Sequence, residues 1–213
     1  MPTLALTVEH PSRRCRSTTS PTGVLVVLIA LVPLLPGCTN VITPPPPPVD
    51  PVTVYLLDHG RHPSLVLPRT DGKLTRYTYG QWNWYALGHT GVFQALGALF
   101  IPSQAGLGRR EFDSTSLQPI LQLDPADHTY AIQVERAAAD RLRDKLDSMF
   151  QANISTLHVN EPYHLDFVHD PEKYWFFHNS NHVTCDWLRE MGCRVKGSGL
   201  LSDWKVSSAT QRK

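Results

Sequence analysis

The chain has 213 residues, of which 41% are hydrophobic and 18% charged, the length and composition of one ordinary globular domain. Lys and Arg together number 20 against 19 for Asp and Glu, a near-balance that argues against a nucleic-acid binder working by bulk charge and against a disordered polyanion. The longest apolar run, 24–35, falls short of the roughly 20 residues that cross a bilayer, which argues against an integral membrane protein.

Arg13, Arg14 and Arg16 precede that apolar run, and Leu35, Pro36, Gly37 and Cys38 close it. A positive region, a short apolar core and small residues ahead of a cysteine resemble a bacterial lipoprotein signal, in which 1–37 is removed and Cys38 carries the lipid. The bland alternative is a plain cleaved signal with an incidental cysteine. Thr39 rather than Asp follows Cys38, which by the same resemblance directs the protein to the outer membrane of the cell envelope, facing the periplasm. Residues 38–51 are rich in proline, with consecutive prolines at 44–48, and read as an extended polyproline II spacer that lifts the domain off the membrane.

Residues 52–213 form the folded domain. Strands are expected at 52–57, 64–67, 74–79, 117–123 and 129–134, where β-branched and aromatic residues cluster between turn signals. The run 92–100 suits a buried helix. Leu142, Leu146, Met149 and Phe150 recur at spacings of three and four, which predicts a helix over 137–152. A shorter helix is expected from Thr184, as N-cap, to Gly192. Strands and helices are mixed without regular βαβ alternation, so the expected class is α+β. Arg109 and Arg110 read as a solvated loop and the tail from 202 to 213 as polar and frayed.

Two cysteines lie in the domain. On one helix Cys185 and Cys193 would stand roughly 10 Å apart, too far for a disulfide, so Cys193 reads as a small buried residue past the helix end. With Thr184 as N-cap, Cys185 falls in the first helical turn, where unpaired N–H groups and the helix dipole favour a thiolate. A thiol nucleophile needs an imidazole beside it, and His62, in the polar segment 58–62, is the first candidate, with His59 and His182 as rivals.

The segments 54–68, VYLLDHGRHPSLVLP, and 184–195, TCDWLREMGCRV, together resemble the DUF2459 family of bacterial proteins. The order of His then Cys is similar to circularly permuted NlpC/P60 proteins, which are papain-like. The resemblance implies a small antiparallel sheet packed with helices, Cys185 as nucleophile and His62 as general base. The third polar position of those relatives is often an acid. The stretch 77–85 has none, which leaves Thr78, Gln81 or Asn83 to orient His62, and Asp186 stands where Asn is usual after the thiol.

These readings lead to a cell-envelope thiol hydrolase or acyltransferase acting on an amide or ester, with peptidoglycan peptides or a lipid as substrate class. Trp82, Trp84 and His182 would line its cleft, and the bilayer, held through Cys38, would be a partner. Nucleic acid, a cofactor and a metal are not expected. The alternative is a non-catalytic envelope lipoprotein that binds a ligand or partner with the same fold. A third reading places Zn²⁺ on Asp58, His59 and His62 with His89 or His164.

Overall fold

The computed structural model describes residues 39–60, 62–88 and 102–207. The export segment with Cys38, the expected helix 92–100, His89 and residues 208–213 lie outside the described residues. The described elements are α+β, with ten strands in two sheets and four α-helices.

In chain order the strands are β1 (Asn40–Thr43), β2 (Pro51–Asp58), β3 (Pro63–Pro68), β4 (Leu74–Gln81), β5 (Ser103–Phe112), β6 (His128–Glu135), β7 (His158–Asn160), β8 (Leu165–Tyr174), β9 (Arg194–Lys196) and β10 (Trp204–Val206). The helices are α1 (Trp82–Tyr85), α2 (Gln118–Leu123), α3 (Arg136–Ala152) and α4 (Ser180–Glu190). The large sheet runs β6-β2-β3-β4-β5-β8-β7, and each of its neighbouring pairs is antiparallel. The β3–β4 connection needs Gly72 at φ +79°, whose N–H donates to the Arg69 carbonyl.

Because successive strand residues face opposite sides, the sequence assigns each to one face. Val54 and Leu56 of β2, Leu65 and Leu67 of β3, Tyr77 and Tyr79 of β4, and Ala105 and Leu107 of β5 point to one side. There they meet Ala139, Leu142, Leu146 and Phe150 of α3 and Val183, Cys185, Trp187 and Leu188 of α4 in the main core. Each fully buried side chain of this kind contributes roughly 1.5–3 kcal/mol. The other face carries two smaller clusters, Leu57, Val66, Leu74, Phe112 and Ile120 in one, Ala86, Leu165 and Phe167 in the second.

Several expectations are corrected. Residues 117–123 begin with a helix-compatible Pro119 in the first turn and form α2, burying Ile120, instead of a strand. Arg109 and Arg110 lie in β5, not in a loop. Arg109 Nε donates to Asp147 at 2.6 Å and Arg110 to the His164 carbonyl at 3.1 Å. The spacer 38–51 is not a free strut: β1 lies within it, with Asn40 and Ile42 fully buried, and the prolines that follow run beside Ala138, Met191 and Gly192. The tail is not frayed through 207, since β10 pairs in parallel with β1 and β9 pairs with β1 on its other side.

α4 starts earlier than Thr184. Asn179 is the N-cap, its side chain accepting from the N–H groups of Asn181 at 2.9 Å and His182 at 3.1 Å. The helix ends in a Schellman closure, with Cys193 N–H donating to the Leu188 carbonyl and Gly192 N–H, at φ +88°, donating to that of Arg189.

Candidate functional site

With Asn179 as the cap, Cys185 is the sixth residue of α4, beyond the first turn and its unpaired N–H groups. Its side chain is 2% exposed in the main core, and burial pushes the thiol up to about 11. The nearby Arg189 guanidinium lowers it and the Asp186 carboxylate raises it, both less than desolvation does. Cys193 is also a free buried thiol, pushed up to about 11 by the same cause. This is the environment of an inert structural cysteine, not of an activated one.

His62 lies on the opposite side of the sheet. It precedes β3 in the alternation shared by Ser64 and Val66, whereas Leu65 and Leu67 face the core that holds Cys185. Its ring packs edge-on to Tyr85 at 4.8 Å between centroids and to Tyr163 at 6.2 Å, and stacks with His59 at 5.2 Å. Tyr85 and Tyr163 border the Ala86–Leu165–Phe167 cluster. The structure therefore does not bring together the expected nucleophile and base: the hydrogen-bonded sheet lies between them.

The remaining expected residues divide. Gln81 does not orient His62 by any described bond; it caps α1, its Oε1 accepting from Trp84 N–H at 2.6 Å. Asn83 is exposed on the same short helix. Thr78 donates to the Pro63 carbonyl at 3.1 Å. Trp84 is half-buried. His182 sits one turn ahead of Cys185 on α4, on the other side of the sheet from His62, with its Nδ1 buried and without a hydrogen-bond partner. Burial holds its imidazole below the usual histidine range. Of the expected cleft residues Trp82 shares the outer face with His62, bordering the cluster whose Tyr85 and Tyr163 rings His62 meets.

What assembles on that face is an aromatic surface on a glycine floor. Gly80 pairs with Gly106 and Thr78 with Gly108 across β4 and β5. A Cβ at Gly80 would overlap the Tyr85 ring, one at Gly106 would stand 3.0 Å from Trp82, and one at Gly108 would stand 2.7 Å from both Phe167 and Thr78. Glycine inside a strand marks a place where something approaches the backbone closely, and here aromatic rings do. Trp82 meets His169 edge-on at 4.2 Å and lies 6.2 Å from His158. His62, Trp82, Tyr85, Tyr163, His158 and His169 are all half-buried, each with part of its surface in water. Rings held rigidly with one side wet are suited to stacking on sugar or peptide planes, and His and Tyr add polar edges.

Beside this surface lies a polar network that sequence reasoning reached only at His59. Ser64 Oγ receives Arg76 Nε–H at 3.0 Å and stands 3.0 Å from His59 Nε2; Arg76 Nη2 donates to Asp124 Oδ2 at 2.5 Å. His59 Nδ1 lies 3.2 Å from the Pro125 carbonyl and 3.7 Å from Asp124 Oδ1. With Nδ1–H donating to that carbonyl, Nε2 is left to accept from the serine hydroxyl. Burial, then the Arg76 charge, hold the imidazole below its ordinary range, so it is neutral at pH 7. Ser64 is fully buried and Arg76 1% exposed, so the network is closed and ties β2, β3 and β4 to the segment after α2. The only sequence signal for it was a charged residue, Arg76, inside an otherwise strand-like run.

The Zn²⁺ reading loses its ligand set. His59 and His62 stack, but Asp58 turns to the other face, where Ser202 donates to it at 2.5 Å, and His164 lies apart beside Arg110. Among the described residues no group of three or more His, Cys, Asp or Glu gathers. Compared with family models, with curated proteins and with solved structures, the chain finds no match in any of the three.

Proposed function

We propose that the chain is a cell-envelope lipoprotein, anchored through Cys38, whose small papain-like α+β domain binds a cell-wall ligand on the aromatic surface and performs no chemistry at Cys185. The observation that carries this reading is the separation of His62 from Cys185 by the sheet, with His62 instead packed on Tyr85 and Tyr163, beside which Trp82 borders the same cluster. Peptidoglycan, with flat sugar rings and short peptides, is the ligand class that suits wet aromatic rings flanked by imidazoles. Co-sedimentation with purified peptidoglycan sacculi tests it: the protein pellets with them, and Trp82→Ala or Tyr163→Ala releases it. Equal pelleting of both variants and the parent would sink the reading. Iodoacetamide at pH 7 tests the negative half. Cys185 should react slowly in the native protein and no differently after His62→Ala, whereas fast alkylation lost in that variant would restore the thiol hydrolase.

A second reading keeps hydrolysis and moves it to Ser64, on the strength of its 3.0 Å contact with the neutral His59 ring. It requires the buried hydroxyl to be reached by substrate. A fluorophosphonate probe that labels the parent but not Ser64→Ala would establish it, and absence of labelling leaves the network a structural clamp.

A further inference from the structure

β1 begins two residues after Cys38, so at most about 7 Å of chain separates the lipid-bearing position from a buried strand. A domain held this closely does not stand off on a polyproline spacer; one of its faces must lie against the headgroups. The small sheet β10-β1-β9 provides that face. Its inner side is apolar: Ile42 is paired with Val195 and Val206, and Trp204, opposite Asn40, is 2% exposed in the main core. Residues directly opposite one another share a side, so the outer face is given by the alternate pairs: Val41 lies between Lys205 and Lys196, and Thr43 lies opposite Arg194.

Arg194, Lys196 and Lys205 are all exposed, and no ion pair among the described residues includes any of them. The acid next to them in the chain, Asp203, accepts from the Thr39 hydroxyl at 2.5 Å. Asp203 and the exposed Asp127 lie beside Lys205, so the positive character of the face is carried mainly by Arg194 and Lys196, with Lys205 at its edge. The short tether keeps it within about one Debye length of the bilayer.

The geometry points to this outer face, Arg194, Lys196 and Lys205 around Val41, as a docking surface for anionic phospholipid headgroups, which fixes how the anchored domain is oriented on the membrane. The inference rests on the lipid-anchored reading of Cys38 and adds the face that meets the membrane. Each cation near an anionic surface strengthens binding roughly fivefold at moderate ionic strength.

The test uses the lipidated protein, reconstituted into vesicles of phosphatidylcholine alone or with one quarter phosphatidylglycerol, and an impermeant amine-acetylating reagent read residue by residue by mass spectrometry. Acetylation of Lys196 and Lys205 should slow about fivefold or more in the anionic vesicles, return to the neutral-vesicle rate at high salt, and leave Lys73 and Lys173 unaffected. Equal rates in the two vesicles overturn the docking face. Incorporation of an alkyne fatty acid, abolished by Cys38→Ala, reads the anchor separately. A parent protein that takes up no fatty acid overturns the anchor and the docking face with it, whereas a lipidated protein with equal lysine rates overturns the docking face alone.

Discussion

Replacing Asp124 by Asn isolates the energetics of the buried network. Arg76 has five N–H donors; Nε serves Ser64, Nη2 serves Asp124 and lies 3.3 Å from His59, and Nη1 is buried without a partner. Asp124 is the one carboxylate bonded to this guanidinium among the described residues, and burial already lowers the Arg76 pKa. Removing the charge while keeping the shape strands a cation in a site where its side chain is 1% exposed. Breaking a buried pair from one side typically costs 3–5 kcal/mol. The Asp124 side chain is 24% exposed, so water already screens part of the attraction and the lower end applies, about 3 kcal/mol. For a domain of this size that is a fall in Tm of roughly 6–12 °C. Urea denaturation of Asp124→Asn should move the midpoint with the slope unchanged. The double variant Arg76→Met, Asp124→Leu should recover to within about 1 kcal/mol of the parent, because no charge is then left buried. A loss under about 1 kcal/mol in the single variant, or no recovery in the double, refutes the reasoning.

Three further outcomes are expected. Thr184→Val should be neutral or stabilising by up to about 1 kcal/mol in urea denaturation, because the Thr184 hydroxyl is buried mid-helix without a partner; a loss of about 1 kcal/mol would instead restore Thr184 as the helix cap. His59 and His182 both have folded pKa values below the ordinary 6.5, so the unfolded chain takes up protons first and stability should fall as pH drops below 6.5. His59→Gln should flatten part of that slope in denaturation curves measured between pH 7.5 and 5.5, and an unchanged slope would mean the ring is not held neutral. Gly80→Ala should cost roughly 1–3 kcal/mol by driving Tyr85 off its floor, and should weaken pelleting with sacculi, a pairing of effects that intact binding would contradict.

Periodicity made most of the core legible. The helix expected over 137–152 is α3 at Arg136–Ala152, and the strands expected at 52–57, 64–67, 74–79 and 129–134 are β2, β3, β4 and β6. β5 and β8 gave no such signal because each mixes polar residues and, in β5, glycine into the pattern: Gly106 and Gly108 make room for Trp82 and Phe167, so the strand is written in its neighbours' side chains as much as in its own. Residues 117–123 are apolar on most positions, a pattern that does not separate a short helix from a strand. β1, β9 and β10 are three or four residues long and exist only by pairing across the chain, which no local window reveals. Local sequence does not fix the α4 start, because Asn179 and Thr184 are both good caps in isolation; the choice is made by Asn179 finding two N–H donors where the Thr184 hydroxyl finds no partner.

The site turned on a single bit of information, the parity of β3. A resemblance between short segments carries residue types and their order along the chain, so His62 and Cys185 can both be found by it. Whether they meet depends on which way each side chain leaves the sheet, and along a strand that choice reverses with every residue. Here Leu65 and Leu67 are committed to α3 and α4 by the area they bury, and Val66 to the opposite cluster by the same cause. His62, just ahead of β3, is held on the outer side by its ring contacts with Tyr85 and Tyr163. The buried Ser64–Arg76–Asp124 bonds lock that parity further, since a one-residue slip would drive the Arg76 charge into the main core. The hydrophobic pattern that makes the strand predictable thus commits the core side of β3 to the helices that hold the thiol, while His62, on the other side, packs on the tyrosines.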